Sequence, residues 1–259
     1  MQMGTCKLCL KEKMLIGKSH IIPYFFYKHY RFFSSSHTIK EYGVIPPGVP
    51  LPKAQWRKMN DGYYEPHILC DECEKKIGKY EDYGKKLFID AKHFGVRPMA
   101  KSKHFAVLEV KVDYKKYKLF ILSMIWKSIV CSLYQFSAIT LPEEKQERLR
   151  EMLFHGDEGS EEEFPIVTQR MIFPKNVVGD DLLVLPMYRG KNREFLTMTI
   201  GKWILTIYLE HTDEYHTRAT CLKKPGVLPL AFMSEELTVI VMDFYCNINQ
   251  DKPIKNPFQ

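Results

Sequence analysis

Cys6-Lys7-Leu8-Cys9 and Cys70-Asp71-Glu72-Cys73 are two cysteine pairs of identical spacing, and Ser19-His20-Ile21-Ile22-Pro23 lies between them. In a Cys-x-x-Cys turn, two thiolates bind one ion, and two such turns complete a closed tetrahedral Cys₄ site. Closed coordination is typical of a structural zinc ion. The alternative is four unrelated thiols, which the repeated spacing disfavours in a chain with seven cysteines. We therefore predict that Cys6, Cys9, Cys70 and Cys73 bind one structural Zn²⁺ ion.

The residues around the two pairs predict a ββα arrangement. Cys6–Cys9 forms a knuckle at the tip of a hairpin whose return strand is Met14–Ile22, and Pro23 ends that strand. A second strand, Gly62–Leu69, leads into the second pair. The helix Asp71–Ile89 begins there, with acidic residues in its first turn, where they favour the helix dipole. The pattern predicts a treble-clef-like zinc module.

Two segments between the cysteine pairs differ sharply in composition. Tyr24–Phe33 is dense in aromatic residues and predicts a short helix packed on the zinc module, although aromatic and basic side chains could also stack on bases. Ser34–Asp61 is rich in serine, glycine and proline and predicts a long loop. Arg57 and Lys58 in this loop could lie along a phosphate backbone, or the loop could be a simple insertion.

The remainder of the chain alternates helical and β-type patterns. Tyr114–Ile139 predicts a long core helix, and Pro142–Phe154 predicts an amphipathic helix. The pattern of His104–Val112 is that of a strand or of the start of a helix. Five further strands are predicted, with turn signals between them, at Ile166–Phe173, Leu182–Tyr188, Glu194–Ile200, Trp203–Glu210 and Leu237–Tyr245.

These patterns predict an α+β fold with two parts. Residues 1–98 form the zinc module with its long loop, and residues 99–259 form a mixed region of helices and antiparallel sheet. The second part is expected to regulate the first, to recognise a partner protein or to build a homo-oligomer.

Charge is shared unevenly along the chain. Residues 1–118 contain 23 Lys/Arg and 12 Asp/Glu, a net charge of +11, whereas residues 119–259 contain 15 and 19, a net charge of −4. A concentrated positive field attracts polyphosphate, so nucleic acid is the first partner to consider, DNA before RNA, and an anionic membrane surface the second. Ordinary solvated lysines are the alternative explanation.

Composition also predicts the compartment. Seven cysteines in 259 residues, four of them in metal-type pairs, do not form the dense framework of a secreted disulfide protein. Met1–Lys13 has no apolar signal core, and Lys127 interrupts the most apolar stretch, Leu119–Leu141, so we expect no membrane span. We expect a cytoplasmic protein.

Cys6-x-x-Cys9, Ser19-His20-Ile21-Ile22-Pro23 and Ile68-Leu69-Cys70-Asp71-Glu72-Cys73, in this order, resemble the HNH (His-Asn-His) endonucleases of the ββα-metal fold that carry a Cys₄ zinc brace. The resemblance covers roughly residues 1–90. The segment Leu122–Ser128 is similar to uncharacterised bacterial proteins that share this start.

The resemblance implies a nuclease, of the kind expected among bacterial phage-defence or toxin-like effectors. His20 is then the general base that takes a proton from water, because imidazole titrates near neutral pH. A catalytic Mg²⁺ or Mn²⁺ ion would be bound near Glu74, with Glu81 on the same helix face. The predicted nucleic-acid contacts are Lys18, Arg57, Lys58, Lys75 and Lys76.

Three positions differ from the usual family pattern. Ser19 stands where many members have Asp, Glu65 stands at the middle Asn, and Glu74 stands at the final His or Asn. Besides a nuclease, the sequence therefore leaves two alternatives open. One is a zinc module that binds nucleic acid without cleaving it. The other is a protein-interaction module in which the zinc ion takes the place of a hydrophobic core. The sequence contains no P-loop, nucleophile elbow or H-E-x-x-H motif.

Overall fold

The computed structural model of the protein describes residues 2–30, 62–90, 95–175, 183–189, 194–210 and 219–247. It has the predicted α+β composition, with helices and a seven-stranded sheet. The predicted loop Ser34–Asp61 lies outside these residues. None of the helices in the described part of the chain has the length and apolarity needed to cross a bilayer.

Residues 2–30 and 62–90 of the N-terminal part form two small two-stranded sheets and two helices. Their bounds are β1 Gln2–Thr5, β2 Glu12–Leu15, β3 Ser19–His20, α1 Tyr24–Tyr30, β4 Tyr64–Glu65 and α2 Asp71–Lys85, which continues as a π-helical turn over Lys86–Asp90. The predicted return strand Met14–Ile22 is in fact two strands. β2 pairs with β1, whereas β3 pairs with β4. Between them Ile16 exchanges backbone hydrogen bonds with His67 and Leu69, and this pairing redirects the chain.

The described residues of the C-terminal part include the large sheet and the helices α3, α4 and α5. Their bounds are β5 Val96–Lys101, β6 Phe105–Lys111, α3 Tyr114–Val130, α4 Glu143–His155, β7 Ile166–Met171, β8 Leu183–Arg189, β9 Phe195–Ile200, β10 Trp203–Tyr208, β11 Val227–Met233 and α5 Glu235–Asn247. The predicted boundary between residues 98 and 99 lies within β5.

The sheet is mixed, whereas the sequence predicted an antiparallel one. Its strand order is β5-β6-β11-β7-β10-β9-β8. β11 enters between β6 and β7, pairing antiparallel with β6 and parallel with β7. The sequence patterns did not predict β5 or β11.

Two further predicted elements were wrong in extent or type. The core helix ends at Val130 instead of Ile139, because the Ser132 N–H donates to the Glu65 carboxylate at 2.5 Å and the backbone turns extended. Leu237–Tyr245 is part of α5, not a strand. Ser234 caps that helix by accepting from the Leu237 N–H, and two acidic residues fill its first turn, so the capping signal outweighs the β-type composition.

One continuous hydrophobic core joins the two predicted parts. It includes residues of the cysteine knuckles, of α2, of α3 and of the large sheet. The packing of α2 on α3 is close at Gly84, where a Cβ atom would come within 2.5 Å of the Phe120 ring.

Gly84→Ala is expected to destabilise the protein by about 1–3 kcal/mol, because the added methyl group overpacks the contact with Phe120. Gly78 lies on the same helix, and an added Cβ atom there would meet no other atom within 4 Å. Gly78→Ala should therefore be neutral or stabilise by up to about 1 kcal/mol. Thermal unfolding followed by circular dichroism measures both. Equal shifts in the two variants would contradict this account of the packing.

Candidate functional site

The four predicted zinc ligands lie together. The Sγ atoms of Cys6, Cys9, Cys70 and Cys73 are all within 4.8 Å of one another. Tetrahedral zinc with bonds of about 2.3 Å separates its sulfurs by about 3.8 Å, so small movements would complete the sphere. The Cys70 N–H also donates to Cys6 Sγ at 3.4 Å. This donor set fits one structural Zn²⁺ ion.

Backbone hydrogen bonds hold the two knuckles side by side. The Lys7 N–H donates to the Ile68 carbonyl and the Leu10 N–H donates to the Cys6 carbonyl, both at 2.9 Å. Leu10 and His67 have φ angles of 57° and 64°, a region that non-glycine residues seldom occupy. The first knuckle is also anchored from α4, because Arg150 Nη1 donates to the Leu8 carbonyl at 2.7 Å.

The electrostatics of the cysteine cluster favour a cation. Burial alone would raise the pKa of Cys6, but N–H groups of Cys9, Cys70 and Leu8 outweigh it and lower that pKa. For Cys73, burial and the neighbouring sulfurs of Cys70 and Cys6 raise the pKa well above its usual range. The first thiolate is therefore stabilised by the backbone, whereas the accumulation of further thiolates needs a compensating positive charge.

A second polar cluster lies where β3 meets α2. Ser19 is fully buried and its hydroxyl donates to Glu74 Oε2 at 2.8 Å. Lys127 of α3 reaches the same place, with its Nζ 2.9 Å from Glu81 Oε1 and 3.9 Å from Glu74 Oε1. Lys127 Nζ also donates to the His20 carbonyl at 3.0 Å. One ammonium group thus contacts both predicted metal-binding glutamates and the backbone of the predicted base.

Lys127 is buried, with 0% of its surface exposed. Burial would lower the pKa of Lys127, but the attraction of Glu81 and Glu74 outweighs it and raises that pKa, so the side chain is charged. Burial also raises the pKa of Glu74, an effect that Lys127 and Ser19 only partly offset.

The His20 side chain faces a different environment from the His20 carbonyl. Its ring is half-buried, stacks on Tyr24 with a centroid distance of 5.1 Å and meets Tyr64 edge-on at 5.9 Å. Exposed lysines flank both tyrosines, with Lys18 Nζ 4.5 Å from the Tyr64 ring centre and Lys28 Nζ 5.0 Å from that of Tyr24. We call these five residues the His20 surface.

The residues predicted to bind a catalytic Mg²⁺ or Mn²⁺ ion do not fit one in this arrangement. His20, Glu74 and Glu81 do not form a group of ligand atoms as close as that of the cysteines, which is the one such group among the described residues. The space between the two glutamates also contains the Lys127 ammonium. A divalent ion would have to displace it.

The predicted nucleic-acid contacts fall in different places. Lys18 belongs to the His20 surface. Lys75 is exposed and pairs with Asp71 at 2.6 Å. Lys76 donates to the Phe154 carbonyl and lies over the Phe154 ring, so it joins α2 to α4. Arg57 and Lys58 lie outside the described residues.

The sequence did not predict the contacts that Lys127 and Glu65 make. A lysine in the middle of an apolar stretch was the available signal, since a buried lysine requires charged or polar partners. The Glu65 carboxylate accepts from both the N–H and the hydroxyl of Ser132. Nothing in the local sequence indicated that contact, which joins residues 67 positions apart.

The chain was compared with protein-family models, curated proteins and solved structures, and none of the three comparisons gave a match.

Cys9→Ser is expected to remove most of the bound zinc and to lower the melting temperature strongly, because metal binding in a Cys₄ site is linked to folding. Cys131→Ser is the matched control: this thiol is also half-buried, but it lies outside the cluster. Zinc per chain by elemental analysis, together with thermal unfolding, tests the pair. Full zinc content in Cys9→Ser would contradict the assignment.

Proposed function

We propose that this protein is an HNH-type nuclease in which a treble-clef zinc module presents His20 to a nucleic-acid phosphodiester, with DNA the favoured substrate. The observation that carries the proposal is the His20 surface: one half-buried imidazole between two tyrosines, each with a lysine over its ring. The zinc brace supports it by fixing β3 beside the start of α2.

The chemistry follows from the ordinary properties of imidazole. Neutral His20 takes a proton from water as the water oxygen forms a bond to phosphorus. The ester P–O bond then breaks, and the leaving oxygen takes up a proton from solvent. Lys18 and Lys28 place positive charge beside the phosphate, where negative charge accumulates in the transition state.

The same surface is suited to hold the substrate. Tyr64 is 37% exposed, and aromatic rings of this kind stack on unpaired bases without strong sequence preference. The net charge of +11 over residues 1–118 adds a general attraction for the phosphate backbone.

A specific observation favours the second candidate, nucleic-acid binding without cleavage. Two residues at positions of the family signature already have partners within the protein. Glu65 accepts a hydrogen bond from Ser132, and Glu74 accepts one from Ser19 and forms an ion pair with Lys127. In this alternative, the zinc module and its basic surface bind nucleic acid and His20 only stacks between the tyrosines.

His20→Ala is expected to reduce cleavage of DNA by about 10²–10⁴-fold, the usual contribution of a general base. Plasmid nicking and cleavage of labelled single-stranded DNA and RNA measure the rate, with zinc content and melting temperature determined in parallel. His155→Ala on α4 is the control and should cleave normally. Salt-sensitive binding without cleavage by the unmodified protein would favour the binding module instead.

Lys18→Ala and Tyr64→Ala are expected to weaken nucleic-acid binding. Losing the lysine should reduce the slope of log affinity against log salt by about 1, whereas losing the ring should cost about 1–3 kcal/mol of stacking. Lys75→Ala removes an exposed charge that lies outside the His20 surface, so it should have a smaller effect. Fluorescence anisotropy over a salt series measures all three, and an equal loss in Lys75→Ala would argue against a localised surface.

A further inference from the structure

We propose that the Lys127 ammonium is the built-in cation of the Ser19–Glu74–Glu81 cluster, so that this cluster binds no divalent metal ion and α3 positions His20. The inference deepens the proposed function and rests on it only in treating His20 as the reacting group. It assigns a positioning role to a residue from the C-terminal part of the chain.

The contacts of Lys127 resemble an ion-coordination shell made of oxygens. Its Nζ contacts Glu81 Oε1 at 2.9 Å, the His20 carbonyl at 3.0 Å and Glu74 Oε1 at 3.9 Å. Carboxylate and carbonyl oxygens are the groups that Mg²⁺ and Mn²⁺ prefer. Here an ammonium group contacts them, and an ammonium group and a metal ion cannot share one position.

Burial keeps the Lys127 ammonium group next to the two glutamates. Lys127 lies in a run of α3 residues that are all buried, including Met124 and Trp126. Moving the ammonium away from the glutamates would place a charge in apolar surroundings, which is strongly unfavourable. The other oxygen of Glu74, Oε2, accepts a hydrogen bond from the Ser19 hydroxyl. Both oxygens of this carboxylate therefore have a partner within the protein.

The same ammonium connects the reacting group to the rest of the molecule. Lys127 donates to the carbonyl of His20 itself. A second contact starts from Glu65, which pairs with Ser19 across β3 and β4. The Glu65 carboxylate accepts a hydrogen bond from Ser132, just beyond the end of α3. Both contacts join the β3–β4 pair to α3. A shift of α3 would therefore move the β3–β4 pair, and His20 with it.

The test is Mn²⁺ binding to the full-length, zinc-loaded protein, measured by electron paramagnetic resonance without nucleic acid. The unmodified protein should bind no Mn²⁺ at this cluster at millimolar concentration. Lys127→Ala should have a lower melting temperature, should bind one Mn²⁺ ion, and should be partly restabilised by it, because two carboxylates are left without a cation. Lys127→Ala combined with Glu74→Gln should lose that binding.

Lys118→Ala is the matched control, since Lys118 is an equally buried lysine on the same helix whose Nζ donates to the Ser160 carbonyl. It should gain no Mn²⁺ site. The proposal is overturned if the unmodified protein binds one Mn²⁺ ion that Glu74→Gln removes, a result that does not depend on whether Lys127→Ala folds. It is also overturned if folded Lys127→Ala binds none. Because no cleavage is measured, a protein without nuclease activity still gives a decisive result.

Discussion

Two cysteine pairs about sixty residues apart in sequence lie side by side, with their four sulfur atoms within 4.8 Å of one another and the Lys7 N–H donating to the Ile68 carbonyl at 2.9 Å. Closing so long a loop costs conformational entropy, and a metal ion bound by the four sulfurs would offset part of that cost. Between the two knuckles, β3 and β4 pair, and α2 begins at Asp71, directly after Cys70. The positions of His20 and Glu74 both follow from this constraint.

A second interaction joins this module to the rest of the protein. The hydrophobic core is continuous from the knuckles to the large sheet, and at its centre α3 packs on α2. Lys127, in this apolar contact, compensates Glu81 and Glu74 and fixes the His20 carbonyl. The part that contains the cysteine cluster and the C-terminal part are thus packed on each other, which links the proposed chemistry at His20 to the position of α3.

Local patterns predicted the elements whose signals are local. The helix after Cys70 and most strands between Ile166 and Tyr208 occur where periodicity placed them. Some of the failures have tertiary causes, and one is local. β11 completes the sheet between β6 and β7, a position that depends on distant partners, and α3 ends early because Glu65 captures the Ser132 N–H. At α5 a capping serine outweighed a β-type run.

The sequence by itself determined the α+β class, the four clustered cysteines and the candidate base, because cysteine spacing and the motif around His20 are local features. Only the tertiary structure decided what surrounds them. It placed Lys127 between Glu74 and Glu81, and it framed His20 with Tyr24 and Tyr64. Lys127 is 107 residues from His20 along the chain, so no spacing rule could have paired them, and their contact depends on the packing of α3 against the module.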